Sequence, residues 1–399
     1  MLENFRVVDL SESISAAFAT KQLADFGADV VKVERPGGDP VRQAGAKAAG
    51  STWSRNPLFQ YLNTNKRSIG LDLEHPGGRE VLERLIRGAH VFVDSLPHDQ
   101  ATALGITWER VTAWNPDVIH AAITPFGRSG AYRDWRASEI VLYAMGGEMY
   151  STGLAEREPI KLAGHVSEIE VGSVAAVAIL GALVAQQAGQ GGDYLDISGF
   201  EVQMAGIDRR SSSLLGYQYT GEITPRRGGW SAGGFPAGIY PCSDGYFEIS
   251  AGPAYWTRMV AMLGHPPALL DPKWTAPGAN GSPSLREEFD SLFLEWTMQR
   301  TRTEIWEAAQ AAHVFVGPLN SMQDLLVDPH LAQTGALVTV SVGKDQYTMP
   351  GAPLRFNRAQ GWRLSRAAPD VGQDTEDILT ELGMQAPQVH RLRTEGAIA

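Results

Sequence analysis

Apolar and polar positions in the first third of the chain alternate with two different periods. Residues 6–10 read as a short buried strand, 16–26 as a helix that Gly27 terminates just past its last turn, and 30–34 as a second strand. A strand, a helix and a strand in so short a span make a βαβ unit, whose two strands must be parallel and whose crossover is right-handed. The pattern continues with a helix over 79–87, a strand over 91–94, a helix over 108–114 and a strand over 118–123. Ligands of such open α/β sheets bind beyond the carboxyl ends of the strands, which directs attention to the loops 11–16, 34–42, 95–101 and 124–136. A long apolar helix then runs from Glu168 to Gln187 and stops at Gly189, and a strand follows over 194–197.

From 206 to 236 the chain turns rich in Gly, Ser and Arg, with RRGGWSAGG at 226–234, which marks a boundary. Beyond it, two β-rich runs within 239–250 flank a Ser-Asp-Gly turn, a hairpin signal. Helical stretches at 255–264, 285–299 and 303–312 follow, and the tail carries a strand over 337–342 and a last helix near 375–382. At 399 residues the chain exceeds what one hydrophobic core organises. The expected layout is a large Rossmann-like α/β domain with a parallel sheet (1–205), a linker (206–235), a small α+β domain (236–326) and a return to the large domain (327–399).

Composition narrows the function classes. A formal charge of −11 with no basic run opposes binding to a polyphosphate backbone, so nucleic acid is not expected as a partner. The longest apolar run, 171–185, falls short of the roughly 20 residues of a membrane span, and MLENFRVVDL reads as a first strand rather than a signal peptide. Neither a membrane nor a secretory route is expected. The single cysteine, Cys242, permits no intrachain disulfide or cysteine-based zinc cluster, which suits a cytoplasmic protein, and reads as a strand residue rather than a nucleophile. No two of the nine histidines stand at i, i+4, leaving no metal site to defend. There is no Walker A loop, no GxGxxG after the first strand, and GRSG at 127–130 lacks the spacing of a nucleophile elbow.

The segment PIKLAGHVSEIEVGS, 159–173, is the most informative. Ser167 followed three residues later by Glu170 has the form of a capping box, making Ser167 the N-cap and Glu168 the first helical residue. The helix dipole there favours a charged carboxylate, the form an acyl-accepting nucleophile requires. Acidic residues also occupy first turns for stability alone, so the residues by themselves leave both roles open.

The run FRVVDLSESISAAFATKQLADFGADVVKVERPGGDPVR resembles the opening of the family III coenzyme A transferases. This is the CaiB/BaiF group, which includes formyl-CoA transferase, carnitine CoA transferase and the methylacyl-CoA racemases. NTNKRSIGLDLEHPGGREVLERLI, GITWERVTAWNPDVIHAAITPFGRSG, GGDYLDISGFEVQMA, DGYFEISAG, LLVDPHLAQTG and APDVGQDTEDILTELG agree with that family in order. The family's catalytic aspartate lies nine residues after a proline and four before a glycine, and Pro159 and Gly172 place that position on Glu168. The resemblance implies ping-pong CoA exchange between an acyl-CoA donor and a carboxylic acid. It implies a CoA thioester as substrate, no permanently bound cofactor, and an interlocked homodimer or a heteromer with a homologous subunit. It further implies Glu139 as an acidic active-site residue, Arg35, Arg136, Ser95 and Leu96 as CoA contacts, and Ala232, Gly233 and Gly234 as part of an oxyanion loop. Two departures bear on substrate: Ile14 replaces a glutamine that helps bind oxalate, and Ser138 replaces the racemases' catalytic histidine. A non-catalytic, CoA-binding partner subunit is the alternative that the aspartate-to-glutamate change raises, and an acyl-CoA racemase is a third.

Overall fold

Val7 and Val8 are neighbours in strand β1 (Arg6–Leu10), and the period-2 geometry of a strand sends them into different cores. Val7 joins the core shared with helices α1 (Ile14–Asp25) and α8 (Val166–Ala185), and Val8 the one shared with α3 (Pro76–Arg87) on the other face of the sheet. The sheet's other strands are β2 (Asp29–Glu34), β3 (Arg67–Gly70), β4 (Val91–Asp94), β5 (Ile119–Thr124) and β6 (Asp193–Ser198). Every pairing is parallel, and the order is β3-β2-β1-β4-β5-β6. This is the doubly wound order, whose strand sequence reverses direction between β1 and β4.

The computed structural model describes residues 1–43, 56–206, 209–226, 235–342 and 345–399. The chain divides into two compact units, the larger formed by 1–149, 161–221 and 330–399 and the smaller by 150–160 and 222–329. In the larger unit, α2 (Pro57–Leu62), α4 (His98–Leu104), α5 (Trp108–Trp114), α6 (Glu139–Met145), α9 (Gly199–Ala205) and α10 (Arg209–Thr220) complete the helical layers, and the short helix α7 (Glu148–Ser151) ends its first segment. The strand-and-helix pattern expected from 6 to 123 is present, with boundaries shifted by up to three residues. Strand β3 escapes the periodic reading because RSIG carries a single large apolar side chain.

Three expectations are corrected. The stretch expected as a linker holds helix α10, and the main segment of the smaller unit runs from Glu222 to Pro329. That unit also recruits 150–160, tied to its later segment by Arg226, whose guanidinium donates to the carbonyls of Tyr150, Leu154, Ala155 and Arg157. The helix near 375–382 is followed by another over Ala386–Thr394, and its weak N-cap glutamine, Gln385, gives little sequence signal.

Together with its final turn, α8 spans Val166–Gln190, long and apolar enough by length and composition to cross a membrane. It packs as a core helix: Val171, Ala175, Ile179 and Leu183 are buried, and Glu168 and Glu170 stand in its first turns. Its opposite face is open, with Val177 70% and Val184 68% exposed.

In the smaller unit, β7 (Ala237–Cys242) and β8 (Gly245–Ser250) form the expected hairpin and β9 (Phe315–Pro318) adds an antiparallel third strand. Phe235, Trp256, Trp274, Phe289 and Phe293 fill its core. Cys242 is a buried strand residue there, its thiol pushed up by burial and donating to Asp244.

Candidate active site

Helix α8 begins two residues earlier than a Ser167 cap would dictate. His165 is the N-cap, and Ser167 lies inside the first turn with its buried Oγ unpartnered among the described residues. The backbone N–H groups of Ser167 and Glu168 donate instead to Glu139, at 3.1 Å to Oε1 and 3.0 Å to Oε2. A helix N-terminus has four free N–H groups and a positive dipole end, so one buried carboxylate spanning two donors displaces a local serine cap. Glu170, freed from capping, accepts from Gln203 Nε2 on α9 at 2.9 Å.

Lys161 braces the same corner. Its Nζ lies 3.1 Å from Glu139 Oε1, donates to the carbonyls of Leu162 and Gly164 at 2.6 and 2.7 Å, and sits 5.6 Å from the centroid of the Tyr143 ring. One ammonium thereby organises the loop that delivers His165 and Glu168. His165 Nδ1 is 2.7 Å from Glu168 Oε2. Burial pushes the Glu168 carboxyl above the usual range, His165 opposes this by hydrogen bond and charge, Glu139 adds to it, and Lys161 works against it.

Glu168 lines a cavity of about 290 Å³ with Ser13 and Ser15 from the loop after β1 and the start of α1, Ser95, His98 and Asp99 after β4, and Arg133, Trp135 and Arg136 after β5. The cavity therefore opens at the switch between β1 and β4, where a doubly wound sheet parts its loops. Three of the four loops singled out from the sequence contribute, and 34–42 does not.

The expected residues distribute unevenly. Glu168, Ser95 and Arg136 line the cavity, and Glu139 is buried behind it. Ser95 Oγ also accepts from the Glu12 backbone at 2.9 Å. Leu96 is buried beside the lining, its N–H bound to Asp94 and its carbonyl to Arg128. Arg35 is not among the lining residues; it forms a two-pronged pair with Glu12 and is 56% exposed. Ala232, Gly233 and Gly234 lie outside the described residues. Sequence reasoning missed His165 and Lys161. The i, i+3 spacing of His165 and Glu168 was available as a signal, whereas the bonds of Lys161 depend on the loop's fold.

A family model described as CoA-transferase family III matches residues 2–375. The chain belongs to that family. Among family III relatives, the BbsE subunit of succinyl-CoA:(R)-benzylsuccinate CoA-transferase from Thauera aromatica is 31% identical, the match covering 99% of this chain and 97% of the relative. Succinyl-CoA--D-citramalate CoA-transferase from Chloroflexus aurantiacus is 30% identical over 96% of this chain and 94% of its own length. Formyl-CoA:oxalate CoA-transferase from Streptomyces coelicolor is 29% identical over 100% and 99%. A solved CaiB/BaiF family protein from Brucella suis superposes with a TM-score of 0.85 at 27% identity, covering 95% of this chain and 98% of its own. Membership of family III supports an enzyme that transfers CoA, with CoA thioesters as substrates.

Proposed function

We propose that this family III protein exchanges CoA between an acyl-CoA donor and a carboxylic acid through a covalent intermediate on Glu168. The observation that carries the reading is the placement of Glu168 in the first turn of α8, at the edge of a cavity formed at the sheet's switch point. A Glu168 carboxylate oxygen attacks the thioester carbonyl, the C–S bond breaks, and CoA thiolate leaves a mixed anhydride. The thiolate then attacks the glutamyl carbonyl, releasing the donor acid and leaving a glutamyl-CoA thioester. The acceptor carboxylate repeats these steps in reverse, so charge and atoms balance without an added reagent.

Arg136 and Ser95 suit the CoA side of the cavity, and Ala232–Gly234 remain the proposed oxyanion donors. Glu139 acts in this reading by fixing the helix start, since its oxygens bond the Ser167 and Glu168 backbone and Lys161. Arg35 would reach a CoA phosphate only after exchanging its Glu12 partner. Ser138 supplies no ionisable base for racemisation.

A second reading is favoured by one comparison: a 31% identical relative is named as a subunit. Here the chain binds CoA as a partner of a homologous catalytic subunit. In either reading the open apolar face of α8 is the proposed docking face for a copy or homologue of this chain, and the protein works in the cytoplasm. Acyl-CoA incubation, hydroxylamine trapping and peptide mass analysis test the first reading. Modification of Glu168 supports it; turnover without modification there refutes it, and exchange seen only with an added homologue selects the second.

A further inference from the structure

We propose that His165 is a positioning residue for Glu168, holding one carboxylate oxygen so that the other is presented to the thioester. The inference rests on Glu168 as nucleophile and adds what orients it. A glutamate at the third helical position normally folds back onto the N-cap backbone. Here Glu139 accepts from the Ser167 and Glu168 N–H groups, and the Glu168 side chain turns not to the N-cap backbone but to the His165 imidazole, with Nδ1 2.7 Å from Oε2. An ionised carboxylate only accepts, so the shared hydrogen belongs to Nδ1. Oε1 has no hydrogen-bond partner among the described residues. The two oxygens are thus made inequivalent before substrate arrives.

The other charges facing Glu168 do not substitute for His165. Glu139 raises the Glu168 carboxyl, and Lys161 is committed to Glu139 and two carbonyls. Arg133, Arg136, His98, Asp99 and Asp134 line the same cavity without a hydrogen bond to the Glu168 carboxylate. His165 itself is 42% exposed and Glu168 18%, so the pair stands at the rim, where substrate can meet it. After acyl transfer one glutamyl oxygen remains as a carbonyl acceptor, and the same Nδ1–H serves the second half of the cycle.

The test compares the full chain with His165→Ala and His165→Asn, the latter offering an amide N–H near the place of Nδ1–H. Carboxyl-¹³C glutamate labelling, with the Glu168 signal assigned by its loss in Glu168→Gln, reads the titration of this one group. Its midpoint is expected to rise in His165→Ala and to rise less in His165→Asn. In parallel, kcat for CoA exchange should fall roughly ten- to a hundredfold in His165→Ala at unchanged KM for the donor, with most of it restored in His165→Asn. An unmoved midpoint, or a midpoint that moves while kcat does not, overturns the proposal. Retained exchange in Glu168→Gln would instead overturn the nucleophile reading, and the titration would still report on the pair.

Discussion

A carboxylate that is 18% exposed at a helix N-terminus feels opposed forces, and Glu168→Gln separates them. Exchange should fall by about 10³-fold or more, the scale of losing a nucleophile. Stability should move in a different direction. Because burial lifts the folded-state pKa above the unfolded one, ionised Glu168 costs stability as pH rises through the folded value, and that cost is absent below the unfolded pKa. The Tm of Glu168→Gln relative to the parent should therefore climb as pH rises from about 4, the unfolded range, through the raised folded-state value, and level off above it. A constant difference would show that the carboxyl is not lifted. The place of Glu168 in the first turn of α8 was legible because acidic residues ahead of a long apolar run signal a helix start, whereas its role comes from the family resemblance. The Glu139 cap was not, because a hydrogen bond across 28 residues leaves no local trace, and the neighbouring Ser167 and Glu170 imitate a different solution. The Arg35–Glu12 pair was hidden for the same reason: its two members lie 23 residues apart.

Between elements, two contacts join helices and strands that carry the site. A Cβ on Gly172 would approach the Ser15 carbonyl oxygen of α1 to 2.5 Å and the Phe18 Cβ to 3.0 Å. Gly172→Ala gains about 1 kcal/mol of helix propensity but forces α1 and α8 apart at a typical overpacking cost of about 1–3 kcal/mol. The net change should be a loss in urea denaturation. Activity should drop further than stability, because Ser15 and Glu168 both line the cavity. Beneath them, Lys66 is wholly buried and bonded to Asp9 of β1 at 3.0 Å, Thr20 of α1 at 2.9 Å and Asn63 after α2 at 2.9 Å. Burial pushes the Asp9 carboxyl up, but Lys66 and Lys32 with the Ser11 and Thr20 hydrogen bonds outweigh it and hold it at about 2. That stabilisation is present above the unfolded pKa, roughly 3.9, and is lost as pH falls through about 2. Lys66→Met removes the ammonium bonded to Asp9 and leaves the buried carboxylate to Lys32, Ser11 and Thr20, so it should destabilise by up to about 3–5 kcal/mol, read from the shift in urea midpoint. Strands β1 and β4 were legible residue by residue from apolar runs. This polar knot was not, since its members lie on separate elements and look like surface residues in sequence.

For the whole molecule, the open face of α8 makes the proposed assembly testable. Val177→Glu places a charge in the middle of the apolar stripe that includes Val184. Light scattering after gel filtration should show a smaller species than the parent, with little change in Tm; an unaltered mass would remove α8 from the interface. The smaller unit interrupts the larger one in sequence, and this has a consequence in time. The Ser68 N–H on β3 donates to Asp374, 306 residues further along the chain, at 2.9 Å, and three groups around Ser365 and Arg366 converge on the Asn65 oxygen. A ribosome adding about 5–20 residues per second needs roughly 15–60 s to cover that interval. Throughout it, the edge of the nascent sheet at β3 lacks the partners that finish it. The smaller unit, continuous over 222–329, is complete before they emerge.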